Sequence, residues 1–171
     1  MTVDFILRAP EPEDLDIMFS VENDSLLWEC SSENTGPYSR YQMKQYIAGN
    51  TNDIFTDRQL RMMIVLADER IAGIIDVFDF DVRNNKAEIG IVVLPEFRGM
   101  GIGTSAISRM ERHCFEFLGI NQLYSYVRAD NTAARSVFAS CGFTETAVLK
   151  SWVKRGNTYF DVCLFQKIAD Q

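Results

Sequence analysis

The 171-residue sequence predicts an α+β fold, with helices packed on a mixed but mostly antiparallel central sheet. Three strand patterns follow one another from about Gln59 to Leu94, with short turns between them. A glycine-rich loop and an amphipathic segment come next, which is typical of a strand, a loop and a helix in series. Two last strand patterns flank Arg155–Asn157, as in a terminal β-hairpin. We expect a single domain, residues 1–171.

One strand and two helices are expected before that sheet pattern. Residues 3–8 alternate weakly in hydropathy, as a first strand would. Pro12 suits the first turn of a helix, and the acids around it would face the positive end of the helix dipole. Ser39–Gln42 has the spacing of a capping box and predicts the start of a second helix.

The three central strands are separated by polar turns. Alternate residues from Leu60 to Leu66 fall on one face of the first strand. Ile71–Phe80 predicts the second strand, and Asn84-Asn85 marks the turn into the third.

Two helices and one strand are expected after the glycine loop. The first helix has an apolar side made of Ala106, Met110, Cys114 and Phe117. Leu123–Val127 then predicts a strand. Asn131–Cys141 predicts a short helix, which Gly142 would end as a C′ residue.

The composition excludes several classes of protein. A net charge of −7 opposes non-specific binding to nucleic acid. One histidine and four dispersed cysteines predict no metal site, and such cysteines are typical of reduced thiols in a cytoplasmic protein. No apolar stretch has the length of a membrane span, and the opening residues lack the basic start of a secretory signal. We therefore expect a cytoplasmic protein with no nucleic-acid or membrane partner.

The negative charge is concentrated in residues 9–39, which contain no lysine or arginine. This segment carries −8, so the rest of the chain sums to +1. The eight acids are Glu11, Glu13, Asp14, Asp16, Glu22, Asp24, Glu29 and Glu33. They predict either an anionic rim that attracts a cation or a solvated helix face.

The run Glu88–Thr104 is the most informative part of the chain. It consists of an apolar strand pattern, Pro95, and three glycines spaced two apart at the start of a helix. Helix N-termini bind phosphate, and glycine allows close approach to the backbone. A P-loop would need a lysine before Thr104. The dinucleotide pattern G-x-G-x-x-A is formally present at Gly101–Ala106, but it follows antiparallel strands and too little chain remains after it.

The loop Arg98-Gly-Met-Gly101-Ile-Gly103 resembles the acyl-CoA loop of the GNAT N-acetyltransferase superfamily. The later run from Asn131 to Gly142-Phe143 is similar to the family's second CoA-side motif. The start and the C-terminal tail resemble the branch that holds the ribosomal-protein N-terminal acetyltransferases and the spermidine N-acetyltransferase. The resemblance implies a GNAT-like sheet whose strands splay apart at the acyl-CoA cleft.

By this resemblance, acetyl-CoA is the co-substrate and its binding residues are distributed over three elements. The strand edge at Ile91, Val92, Val93 and Leu94 would pair with the pantetheine arm, and an amide near Val92–Val93 would hold the oxyanion. The loop residues Arg98, Gly99, Met100, Gly101, Ile102, Gly103 and Thr104 would hold the pyrophosphate. Asn131 and Phe138 would contribute from the last helix, where Asn131 would contact the arm or only cap the helix.

The resemblance also implies direct acetyl transfer to a primary amine in a ternary complex. Glu88 is the candidate base, acting through water, with a partly exposed strand residue as the alternative interpretation. Many family members carry a tyrosine where Phe138 stands, and that tyrosine protonates the leaving thiolate. Tyr126, Tyr159 and Cys141 stay open as substitutes, so the general acid is unassigned.

The acceptor site is implied to lie beside the two early helices. Trp28, Glu29 and Glu33 are the candidate substrate contacts, and a polyamine or a protein N-terminus is the expected acceptor. The alternative is a non-catalytic module that binds acyl-CoA and regulates a partner. Relatives commonly form an antiparallel dimer, which leaves room for a homo-oligomer.

Overall fold

The computed structural model describes residues 3–28, without the side chain of Trp28, and residues 35–170. Its centre is a seven-stranded sheet in the order β1-β2-β3-β4-β5-β7-β6. The strands are β1 (Phe5–Arg8), β2 (Leu60–Leu66), β3 (Ile71–Asp81), β4 (Lys86–Val93), β5 (Gln122–Arg128), β6 (Thr144–Arg155) and β7 (Thr158–Ile168). Among these seven described strands only β4 and β5 pair in parallel, so the sheet is mixed and mostly antiparallel, as predicted.

Six α-helices accompany the sheet within the described residues. They are α1 (Leu15–Glu22), α2 (Ser25–Trp28), α3 (Arg40–Gly49), α4 (Ile54–Asp57), α5 (Ile102–Arg112) and α6 (Thr132–Ser140). Short 3₁₀ turns span Pro12–Asp14 and Pro95–Phe97. The predicted capping box begins α3: Ser39 accepts from the Gln42 amide, and the Gln42 side chain accepts from the Ser39 amide. No helix in this part of the chain combines the length and hydrophobicity needed to cross a membrane.

Apolar residues are buried on both faces of the sheet. The larger cluster joins alternate residues of β2 to β5 with α5 and α6, and we call this side the back face. A smaller cluster joins Met63, Val65 and Ile74 with α1 and α3, and we call this side the front face. The sequence pattern of β2 predicted one apolar face, made of alternate residues from Leu60 to Leu66. The structure also buries Met63 and Val65, on the opposite face.

The predicted apolar side of α5 is correct at Ala106, Met110 and Cys114 but wrong at Phe117, which is 78% exposed. The reason is a π-helical turn over His113–Phe117, where the Leu118 amide bonds to the His113 carbonyl. Each residue of a π-turn advances by a smaller angle than in an α-helix, so Phe117 leaves the buried stripe. Its ring stacks on His113 at 5.1 Å.

The predicted hairpin is β6 and β7, but its position in the sheet could not be read from the pattern. β7 lies between β5 and β6 and pairs with both. This arrangement leaves β5 with a complete partner on one side and a partial one, β4, on the other.

Candidate active site

The centre of the sheet opens where β4 and β5 separate. The two strands pair only from Lys86 opposite Gln122 to Glu88 opposite Tyr124. β4 continues to Val93, and β5 continues along β7 to Arg128. A wedge-shaped opening between the two strands therefore begins directly after Glu88.

On the side away from the opening, β4 is held closely against β3. The Leu94 amide donates to the Ala72 carbonyl at 2.9 Å. An added Cβ at Gly73 would lie 2.1 Å from the Val92 carbonyl oxygen, a distance no side chain tolerates. Glycine at position 73 is thus required for this close approach. The backbone groups of Val92 and Leu94 are turned toward β3.

Ile91 and Val93, which alternate with Val92 and Leu94 along β4, present their backbone to the opening. Backbone groups alternate sides along a strand, so Ile91 and Val93 face away from β3. The contact of Arg98 agrees with this, since its Nε donates to the Val93 carbonyl at 3.0 Å. The four predicted edge residues are therefore divided: Ile91 and Val93 offer amides to the opening, and the Val92 amide does not.

The glycine loop joins this edge to the start of α5. Gly99 and Gly101 both have φ of +76°, a left-handed conformation that glycine adopts without strain. No atom lies within 4 Å of where a Cβ of Gly99 or Gly101 would be, so the loop surface is open. Gly101 is the N-cap of α5, and the first helical amides, through Thr104, have no partner within the helix.

The side chains of the loop alternate between anchoring and exposure. Ile102 is buried in the back cluster and anchors the helix start. Arg98 and Met100 are exposed, and Gly103 packs toward Val93 and Val137. The open loop surface with its free helix N-terminus fits the pyrophosphate of an acyl-CoA.

Glu88 lies on the front face at the start of the opening. Its neighbours Ala87 and Ile89 belong to the back cluster, so Glu88 points the other way. Phe78 in β3 and Tyr124 in β5 are its cross-strand partners. The side chain is half-buried.

The pKa of Tyr124 depends on the charges around Glu88. Burial, followed by the negative charges of Glu88 and Asp79, raises the pKa of Tyr124 to about 12. Tyr124 is therefore protonated at neutral pH, and the carboxylates of Glu88 and Asp79 act on its hydroxyl. The Lys86 ammonium lies 5.7 Å from the Tyr124 ring centroid, and Tyr126 contacts the same ring edge-on. Asp79 is not among the predicted site residues, because its φ of +51° at a β3 irregularity could not be read from the sequence pattern.

The two candidates on α6 both have structural roles, and the helix lies near the loop through Val137, which faces Gly103. Asn131 caps α6, because its side-chain oxygen accepts from the Ala134 amide at 3.1 Å. Phe138 is 3% exposed, and its ring packs against Phe143 and Phe165. A direct contact of either side chain with acetyl-CoA stays a prediction.

The three substitutes for the missing tyrosine are dispersed. Tyr126 is half-exposed on the front face, beside Tyr124. Tyr159 is on the terminal hairpin, one residue from its turn. Cys141 is buried, its thiol contacts the Thr104 carbonyl at 3.6 Å, and burial raises its pKa.

The acidic segment is less unbalanced than its sequence indicates. Arginines from elsewhere pair with three of its acids: Arg8 with Asp14, Arg40 with Asp16, and Arg61 with Glu22. Of the predicted substrate contacts, Glu29 and Glu33 lie outside the described residues, as does the side chain of Trp28. The anionic-rim interpretation therefore loses three of its eight charges.

The largest feature that sequence reasoning missed is the set of charges around Arg61, because its members are far apart in the chain. Arg61 contacts Glu22 of α1 at 2.6 Å and makes a bidentate pair with Asp76 of β3 at 2.7 and 2.9 Å. Its guanidinium also lies over the Tyr46 ring of α3. This set connects both front helices to the sheet.

A wedge beside a glycine loop at a helix N-terminus is the geometry expected of an acyl-CoA site. The family model for the acetyltransferase (GNAT) domain matches residues 4–144. The chain belongs to the GNAT acetyltransferase family. It is thus an N-acetyltransferase that uses acetyl-CoA as its co-substrate.

Several named or solved proteins resemble this GNAT enzyme over four fifths or more of its length. The spermidine N(1)-acetyltransferase of Vibrio cholerae is 24% identical over 162 residues, which cover 95% of this chain and 91% of that protein. The N-acetyltransferase YdaF of Bacillus subtilis is 29% identical over 143 residues, covering 81% and 77%. The crystal structure of the Vibrio cholerae spermidine enzyme with CoA and spermine superposes with a TM-score of 0.84 at 22% identity, covering 96% and 95% of the two chains. This last likeness establishes the fold.

Proposed function

We propose that this GNAT enzyme acetylates a primary amine on a cationic acceptor, a polyamine such as spermidine. The observation that carries the proposal is the position of Glu88, on the front face where β4 and β5 separate. Burial, and after it the negative charges of Glu88 and Asp79, raise the pKa of the neighbouring Tyr124, so carboxylates act at this point. A cation approaching the opening from the front would be attracted there. The resemblance to spermidine N-acetyltransferases supports this choice of acceptor.

The back side of the opening would bind acetyl-CoA. The α5 amides from Ile102 to Thr104 and the loop before them would hold the pyrophosphate. The pantetheine arm would pair with the Ile91 and Val93 backbone, as an added strand pairs with a sheet edge. The Val93 carbonyl is already bonded to Arg98, so the arm would compete with that side chain. The thioester would then lie near the point where the strands part.

The chemistry requires an uncharged amine. A primary ammonium has a pKa of about 10.4, so it must lose a proton before it can attack. Glu88 would accept this proton through a water molecule. An amide of Ile91 or Val93 would stabilise the oxyanion, because these two face the opening.

The activity is tested by measuring CoA release from acetyl-CoA with a panel of amines. Spermidine and spermine should give the highest kcat/KM, above lysine and short peptides. Faster turnover of peptides with a free N-terminus would instead identify a protein N-terminus as the acceptor. Tight binding of acetyl-CoA without turnover of any amine would leave the regulatory module as the function.

The role of Glu88 is tested by Glu88→Gln. We expect kcat/KM to fall by about 10²- to 10⁴-fold at neutral pH, the usual effect of losing a general base. The loss should shrink as pH rises and more amine is uncharged. Glu116→Gln, which changes an exposed carboxylate in the π-helical turn, is the matched control. An unchanged rate-versus-pH curve for Glu88→Gln would reject this residue as the base.

We also place the reaction in the cytoplasm, where the reduced state expected for its thiols would be maintained. Cys114, Cys141 and Cys163 are free and buried, and Cys30 lies outside the described residues. Cell fractionation checks the location: recovery of the protein with an extracytoplasmic fraction would contradict it.

A further inference from the structure

Ser125 is an unusual residue for its position in the sheet. Among the described residues, only Asp14 and Ser125 are polar or charged and buried. The carboxylate of Asp14 is bonded to Arg8, at 2.6 and 2.9 Å, which accounts for its burial. Ser125 lies in the middle of β5, where a hydroxyl contributes nothing to apolar packing and costs free energy to bury.

The position of Ser125 relates it to the opening. It is the first β5 residue beyond the last β4–β5 pair, Glu88 with Tyr124. Leu123 and Val127 belong to the back cluster, so alternation directs the Ser125 hydroxyl to the same face. Its partner in β7 is Phe165, whose ring stacks on Phe138 of α6.

We propose that the Ser125 hydroxyl donates a hydrogen bond to the sulfur of CoA as it leaves. This inference rests on acetyl transfer from acetyl-CoA and holds whichever amine is the acceptor. Glu88 and Ser125 then work from opposite faces of the sheet, Glu88 at the amine on the front and Ser125 at the sulfur on the back.

Other groups near the opening are less suited to the sulfur. Tyr124 and Tyr126 alternate with Ser125 and lie on the front face. Phe138 has no hydroxyl, and the Cys141 thiol is directed to the Thr104 carbonyl.

The step balances without any further reactant. The amine lone pair forms a bond to the acetyl carbon, and the carbon–sulfur bond breaks with its electron pair on sulfur. The amine proton passes to water or to Glu88, and CoA leaves as a thiolate that takes a proton from solvent. Ser125 keeps its own proton, because an alcohol is too weak an acid to transfer it, and stabilises the charge by a hydrogen bond.

The first test is Ser125→Ala, which removes one oxygen and preserves the strand. We expect kcat to fall roughly 10- to 100-fold, the range for losing one charge-assisted hydrogen bond, with little change in KM for acetyl-CoA. Ser140→Ala is the matched control, because that hydroxyl is exposed on α6 and bonded to the Val137 carbonyl. Circular dichroism and cooperative unfolding check that both variants fold. A kcat for Ser125→Ala within about twofold of wild type would overturn the assignment.

The second test reads the hydrogen bond itself and needs no amine. The thiol of CoA bound to the wild-type enzyme should titrate below its ordinary pKa of about 8.5, seen by ultraviolet thiolate absorbance. In Ser125→Ala the bound thiol should titrate closer to that value. A wild-type thiol that is not shifted downward, or one that titrates identically in both proteins, would overturn the proposal even if kcat falls. Because this titration needs no acceptor, it stays informative if the polyamine proposal fails.

Discussion

The two faces of the sheet are held together by different interactions. On the back face, α5 and α6 pack through apolar side chains such as Ile107 and Met110, both fully buried. On the front face, a small apolar cluster is joined by ion pairs, with Arg61 between Glu22 and Asp76. The back face presents the cofactor loop on a rigid support. The front face, which we propose receives the acceptor, depends on charges that must stay paired.

The charges on the front face depend on one another. Burial alone would lower the pKa of Arg61, but Asp76 and Glu22 reverse this and raise it. Carboxylates that are largely withdrawn from water, as Glu22 and Asp76 are, are stable only while their cation is present. The front helices are thus attached by a set of charges whose members depend on one another.

The largest effect is expected from Arg61→Met, which leaves Glu22 and Asp76 without their cation. We expect a loss of about 4 kcal/mol in the free energy of unfolding, the cost of removing one partner from a largely buried set of ion pairs. Denaturant titration measures it. Arg70→Met is the control, because the pair of Arg70 with Asp68 is exposed to solvent and should contribute little to stability. Equal effects of the two substitutions would mean that the front face is not held by charge.

Ile107→Ala tests the back face. We expect a loss of about 3 kcal/mol from the cavity left in the main cluster. Denaturant unfolding at low and high salt should give the same loss for Ile107→Ala. A clear salt dependence for Ile107→Ala would remove the contrast between the two faces.

The contribution of Asp14 to the free energy of unfolding depends on pH. Burial would raise the pKa of Asp14, but the Arg8 hydrogen bond and the Glu11 amide outweigh it, and the pKa lies below its usual value. The stabilisation is therefore complete above the unfolded-state pKa of about 3.9, and it is lost as pH falls through the lower folded-state pKa. Asp14→Asn should cost about 2 kcal/mol at neutral pH and flatten the acid limb of the stability curve. Glu116→Gln should leave that limb unchanged, and an unflattened limb in Asp14→Asn would contradict the assignment.

The smallest effect is expected at the glycine loop. Gly101→Ala and Gly119→Ala both place a side chain at positive φ with open space around it. Each should cost about 1 kcal/mol in stability. Only Gly101→Ala should also raise KM for acetyl-CoA, because Gly101 caps α5 in the loop and Gly119 lies outside it. Matching KM values in the two variants would show that the loop does not bind the cofactor.

Features that depend on residues close together in the sequence were predictable. The capping box at Ser39, the hairpin turn after Arg155 and the helix end at Gly142 are as predicted. The GNAT assignment also followed from short motifs and was confirmed by the family match. Local patterns failed where geometry changed along an element: Phe117 is exposed because a π-turn alters the helical period.

The acidic segment shows a second kind of limit. Its composition predicted unbalanced negative charge, but Asp14, Asp16 and Glu22 are each paired with an arginine from outside the segment. The net charge of a sequence segment therefore differs from the net charge of the folded region that surrounds it. The substrate contacts predicted at Glu29 and Glu33 remain predictions.

The sequence by itself determined the elements, the glycine loop and the family, because helix caps, turns and strand alternation depend on residues a few positions apart. Only the tertiary structure decided where β4 and β5 part, which amides face the opening, and which charges meet. Arg61 lies 39 residues from Glu22 and 15 from Asp76, and these contacts form only when α1 and β3 pack against β2. Ser125 is buried where β5 pairs with β7 and separates from β4, a place that no local pattern marks.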